Sequence, residues 1–106
     1  MQEGEQNRMA STIDEITIRY EDTEGNEVVR ELDKEILTRG AWTTIMFLYE
    51  ELDPRTNGFS GPKVTIRRYK KVGGEFRQQS KFNISSAKQA IVIADTLKRW
   101  FKDELS

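Results

Sequence analysis

Apolar positions follow a period of two over most of this chain and turn helical only at its end. Ile16, Ile18 and Tyr20 alternate with Thr17, Arg19 and Glu21, which predicts a half-buried strand. The polar cluster Asp22–Asn26 reads as a turn, Glu27–Leu32 as a second, weaker strand, and Asp33–Gly40 as a connector. Ala41–Leu52 has helical spacing at Trp42, Ile45, Met46 and Tyr49. The β-branched and aromatic density of Trp42–Tyr49 favours a strand, central and buried on much of both faces. Asp53–Pro62 holds both prolines and predicts a loop. Lys63–Val72 and Phe76–Ile84 then form a hairpin about Gly73-Gly74. Ser86 with Gln89 has the spacing of a capping box. It opens a helix whose stripe is Ala90, Ile93 or Ala94, Leu97, and Trp100 or Phe101. The expected fold is α+β: a curved antiparallel sheet of four to five strands, then one C-terminal helix packed on its apolar face. Residues 1–11 lack an apolar stretch and read as a disordered tail rather than a signal peptide. Residues 12–106 read as one domain.

The hairpin's register decides where its charges point, because a slip of one residue exchanges the two faces of a strand. A two-residue Gly-Gly loop sets Ile66 opposite Lys81. A three-residue loop, Gly73-Gly74-Glu75, sets Ile66 opposite Phe82, Val64 opposite Ile84 and Val72 opposite Phe76. The second choice keeps apolar residues together and is the expected one. The other face then displays Lys63, Thr65, Arg67, Tyr69 and Lys71 beside Arg77, Gln79, Lys81 and Asn83. Arg68 and Lys70 fall on the covered side, either beyond the helix's reach or paired with Asp95 or Asp103.

Charge sharpens the picture. Between Pro62 and Asn83 seven basic residues stand against the single acid Glu75, so the stretch carries +6 and the remainder −7 within a total of −1. Residues 1–53 hold 14 acids against 5 basics. A cationic ribbon in a near-neutral protein points to an anionic partner. Arg67 opposite Lys81 and Lys71 opposite Arg77 are like-charge pairs that destabilise a ladder unless phosphates lie among them. A solvated face whose lysines prevent edge-to-edge aggregation is the other reading of the same charges. The interleaved tyrosine and amides favour nucleic acid, since single strands are held by a basic groove with aromatic stacking platforms.

Composition removes several chemistries. With no cysteine and no histidine there are no disulfides, thiolate nucleophiles, Cys/His zinc sites or imidazole catalysts. The lack of cysteine fits a reducing, cytoplasmic interior, and no apolar run is long enough to span a membrane. The adjacent acid pairs Asp14-Glu15, Glu21-Asp22 and Glu50-Glu51 point to opposite faces of a strand or lie in turns. No phosphate loop or nucleophile elbow occurs. The chain is expected not to be an enzyme, and neither cofactor, metal nor small-molecule substrate is expected.

Val64-Thr65-Ile66-Arg67-Arg68-Tyr69 followed, after Gly73-Gly74, by Ser80-Lys81-Phe82-Asn83-Ile84-Ser85 and a closing helix resembles the positive cofactor four family. These are single-stranded-DNA-binding transcriptional coactivators, related in plan to the Pur-alpha and Whirly proteins. The likeness covers about residues 42–103. Phe82-Asn83 stands where a glycine-led segment is usual, Ser85-Ser86 replaces a proline-containing helix start, and the Ile16–Leu32 hairpin exceeds the minimal family domain. The resemblance implies a homodimer with helices at its interface and curved sheets that bind single-stranded DNA. It implies a groove lined by Arg67, Tyr69, Lys81 and Arg77, with Trp42 either a further stacker or a core residue.

The expected function is sequence-tolerant binding of single-stranded DNA or RNA, in transcription or DNA maintenance, through Lys63, Arg67, Tyr69, Lys71, Arg77, Gln79 and Lys81. With a salt slope of roughly −0.7 per phosphate neutralised, five face charges predict about −3 to −4. Ile93, Leu97, Trp100 and Phe101 are the expected dimer interface, although the simpler reading of the two aromatics is that they finish a monomer core. The alternative function is a protein-interaction module that docks an acidic partner.

Overall fold

The computed structural model describes residues 10–105. It is the expected α+β architecture: a curled five-stranded antiparallel sheet followed by one helix. The strands are β1 (Tyr20–Glu21), β2 (Glu27–Thr38), β3 (Trp42–Asp53), β4 (Gly58–Val72) and β5 (Glu75–Ile84), and the helix is α1 (Ala87–Trp100). The strands form a simple meander in chain order. Trp42–Asp53 is a strand, as its aromatic and β-branched content predicts, and side chains alternate along it between buried and partly buried.

Three boundaries differ from expectation. The connector Asp33–Gly40 is mostly strand: β2 continues to Thr38 by absorbing Leu32 and Leu37 as bulges in its ladder with β3. Those irregularities break the alternation that a reader of the sequence follows. The loop before β4 shrinks to the turn Pro54–Asn57, and Gly58 already pairs with Asp53. Finally, Ile16 and Ile18 are buried as their spacing predicts, but not in a strand.

They belong to a strap that crosses one face of the sheet. At one end the Phe76 N–H of β5 donates to the Ala10 carbonyl at 2.8 Å. At the other end Tyr20 and Glu21 pair with the edge of β2. In between, a short 3-10 turn (Ile13–Glu15) delivers Ile16 and Ile18 onto Ile45, Phe47 and Tyr49 of β3. Two β2 side chains hold the strap down. Lys34 Nζ donates to the carbonyls of Asp14 (3.0 Å) and Ile16 (2.6 Å). Glu31 Oε1 accepts from Thr17 Oγ1 (2.6 Å) and from the Ile18 N–H (3.3 Å). The expected disordered tail over residues 1–11 lies outside the described residues up to position 9. Ala10 itself is buried.

The covered side of the sheet, hereafter the strapped face, is the core. Among the described residues the opposite side, the bare face, has no second layer over most of its area. The expectation that α1 packs across the apolar face is corrected here. Ser86 caps the helix as predicted, its Oγ accepting from Gln89 N–H at 3.0 Å, and Gln89 Oε1 accepts from Ser85 N–H at 2.7 Å. Yet α1 buries no residue and touches the sheet mainly at β5. Trp100 and Phe101 are 68% and 55% exposed, so they do not finish a monomer core.

Candidate nucleic-acid interface

The basic hairpin β4–β5 contains both registers considered for it. From Val64↔Ile84 through Ile66↔Phe82 and Arg67↔Lys81 to Arg68↔Ser80, the pairing is the one that groups apolar residues. Beyond Arg68 the ladder shifts, giving Tyr69↔Gln78, Lys70↔Arg77, Lys71↔Phe76 and Val72↔Glu75. The turn is thus the two-residue Gly73-Gly74, with φ of +61° and +83° that only glycine adopts freely. The extra residue, Gln79, is a bulge. The expected pairs Val72–Phe76 and Lys71–Arg77 are therefore corrected.

The shift moves Arg77 to the bare face and Phe76 to the strapped face, where Phe76 is 6% exposed. Burial separates the predicted site residues further. Arg67 and Tyr69, expected on an exposed groove, lie on the strapped face at 8% and 3% exposure. The reason is register with β3: Thr43↔Tyr69, Ile45↔Arg67 and Phe47↔Thr65 put the basic parity of β4 beside the core residues of the central strand. Arg67 Nη1 donates to the Gln78 side-chain oxygen at 2.9 Å. Burial, with Glu51 beside it, raises the Tyr49 hydroxyl above its ordinary value, against the opposing pull of Lys63 and Arg67. Lys63 pairs with Glu51 at 3.2 Å. Lys71 stays exposed with its Nζ 5.4 Å from the Phe76 ring centroid, Lys81 is exposed, and Gln79 Nε2 donates to the Arg77 carbonyl. The seven residues do not form one surface.

The structure gathers a different cluster on the bare face at the hairpin tip. There Trp42 pairs with Lys70 and Lys70 with Arg77, while the neighbouring row is Thr44, Arg68 and Ser80. Trp42 is 41% exposed. Arg68 Cζ lies 4.2 Å and Lys70 Nζ 5.2 Å from its ring centroid, both within cation–π range. Arg68 and Lys70, expected on the covered side, are exposed and lie against the Trp42 ring. Glu75 is the acid beside the cluster, paired with Arg77 at 3.2 Å. An indole with open area, flanked by three cations, can stack a base while the cations meet phosphates. Arg68 and Lys70 are legible as cations in the sequence, but their exposure follows from the strap covering the other parity of β3 and β4, a long-range pairing with no local signal.

Among the described residues no cluster of acids is placed to hold a metal ion, and no helix is long and apolar enough to cross a membrane. In comparison with known proteins, no family model, curated protein or solved structure matches the chain.

Proposed function

We propose that this chain binds single-stranded nucleic acid, as a homodimer inside the cell, through the bare-face end of the β4–β5 hairpin. The observation that carries the reading is the exposed Trp42 ring with Arg68 and Lys70 within cation–π distance and Arg77 across the ladder. Tryptophan is highly buried on average, and stacking on its open face accepts any base, so sequence preference is weak. The resemblance to the positive cofactor four family supports the same class of ligand, although the groove it implied, centred on Arg67 and Tyr69, is replaced by Trp42, Arg68, Lys70 and Arg77. Lys71 and Lys81 flank the tip from the strapped side and extend its positive field.

The test is a fluorescence-anisotropy titration of labelled single-stranded and duplex oligonucleotides at low and physiological salt. Wild type is compared with Trp42→Ala and with Arg68→Ala/Lys70→Ala/Arg77→Ala. Saturable binding that prefers single strands, weakens with salt and is reduced in both variants supports the proposal. No binding at low salt overturns it. Binding of an acidic peptide that depends on the cations but not on Trp42 would instead assign the surface to a protein partner.

A further inference from the structure

Among the described residues two apolar surfaces stand without a partner, and they are complementary in charge. The first is on the bare face. Two cross-strand rows, Asp33–Leu48–Val64–Ile84 and Glu35–Met46–Ile66–Phe82, run from β2 to β5. Asp33, Lys34, Glu35, Met46, Phe47, Leu48 and Val64 line a shallow, open groove of about 140 Å³, apolar at its floor, with Asp33 and Glu35 at its rim while the Lys34 ammonium turns away to the strap. The second is the end of α1, where Leu97, Trp100 and Phe101 are all exposed and are interspersed with Lys98, Arg99 and Lys102, the acids Asp103 and Glu104 following in the next turn. Three large apolar side chains within about one helical turn exceed what a monomer surface usually leaves open.

The chain's own helix does not fill its own groove. It follows directly from β5 and touches the sheet mainly there, whereas the groove is centred on β2, β3 and β4. We propose that the groove receives the C-terminal turn of α1 from a second copy. Leu97, Trp100 and Phe101 cover Met46, Leu48 and Val64, while Lys98, Arg99 and Lys102 face Asp33 and Glu35. The arrangement rests on the homodimer in the proposed function and specifies its contact: helix into sheet groove, not helix against helix. A two-fold axis makes the contact reciprocal, so each dimer has two identical seats and leaves no helix unpaired. The rows that form the seat are distinct from the Trp42–Lys70–Arg77 row, so oligonucleotide and second copy occupy different parts of the bare face.

A charge exchange tests this without touching the core. One variant carries Asp33→Lys/Glu35→Lys and the other Lys98→Glu/Arg99→Glu/Lys102→Glu; all five positions are exposed. Each variant alone juxtaposes like charges at both seats, and only the mixture restores opposite charges at both. The expected result by light scattering at about 100 µM, where micromolar contacts are saturated, is a dimeric wild type, two monomeric variants with wild-type circular dichroism, and a heterodimer on mixing. A monomeric wild type, variants that dimerise as wild type does, or a mixture that stays monomeric would each overturn the proposal. Titrating the same samples with a single-stranded oligonucleotide separates the two readings. Monomeric variants that still bind it keep the site at Trp42 apart from the seat, and a correctly assembled dimer that binds none rejects only the nucleic-acid reading.

Discussion

The Arg68 guanidinium carbon lies 4.2 Å from the centre of the Trp42 ring, so an exposed cation of β4 and the exposed indole of β3 act as one surface group. With Trp100→Phe removing the other tryptophan, Trp42 is the sole indole reporter. Adding a single-stranded oligonucleotide is expected to quench its emission saturably. Replacing Trp42 by Ala is expected to weaken binding by about tenfold or more, since base–aromatic stacking contributes roughly 1–3 kcal/mol. Unchanged emission at saturating oligonucleotide would place the bases elsewhere.

Tyr69, by contrast, belongs to the core. Tyr69→Ala is expected to lower unfolding free energy by about 3 kcal/mol, the range for emptying a buried aromatic site. Below the melting transition its oligonucleotide affinity is expected to match wild type. Urea titration and anisotropy on the same sample check both halves of the statement.

The strap depends on Lys34 and Glu31. Lys34→Met and Glu31→Leu each leave strap groups without the partners described above, and each is expected to cost about 1–3 kcal/mol. Hydrogen exchange is expected to accelerate at Ile18 in Glu31→Leu ahead of the β3–β4 ladder. Uniform acceleration across the sheet would mean that the strap does not open as a local unit.

Deleting Gln79 makes a sharper test of the hairpin. Gln78 already faces Tyr69 and Ser80 already faces Arg68, so the deletion joins two correct registers into one regular ladder. The variant is expected to fold, with only the local twist reduced. Deleting Phe82 instead sets Lys81 opposite Ile66, Ser80 opposite Arg67 and Gln79 opposite Arg68, which exchanges the faces of these residues, and is expected to lower the melting temperature. Thermal melts of the pair distinguish the outcomes.

Acid sensitivity follows from three carboxylates, Glu15 exposed and Asp22 and Asp53 partly buried. Asp22 is held below its ordinary value of 3.8 chiefly by the Asn26 N–H, Asp53 by the Arg55 side chain, and Glu15 below 4.5 by the Ser11 N–H. A carboxylate depressed in the folded state contributes stability above its unfolded pKa and loses it as pH falls through the folded one. Melting temperature is therefore expected to be flat toward pH 5 and to fall below about pH 4. Asp22→Asn is expected to flatten that decline. A rise in stability on acidification would contradict the assignment.

The strands, the α+β order and the helix cap were legible because each has a local signal: alternation, turn residues, and serine three positions before glutamine. The basic parity of β4 was also legible, but not its burial. Whether Arg67 or Arg68 faces water depends on which parity of β3 the strap covers, and that pairing is long-range. The two candidate turns were both readable at Gly73-Gly74. Nothing near the turn announces that Gln79 lets both registers coexist. Trp42 was recognised as a possible stacker, yet its company of Arg68 and Lys70 came only with the β3–β4 register. The apolar stripe of α1 was visible, and the structure shows that it does not close over its own sheet.

The strap has a consequence for how the chain is made. Its first described residue, Ala10, is hydrogen-bonded to Phe76 in the last strand. A contact between such distant points forms late, because the chain between them must first be ordered. During synthesis Ile13, Ile16 and Ile18 emerge before the strands they cover and wait for the whole meander. Thr12, Asp14, Glu15, Thr17 and Arg19, set among those isoleucines, keep the waiting segment wet. The strap, made before the sheet it covers, is thus fastened after it.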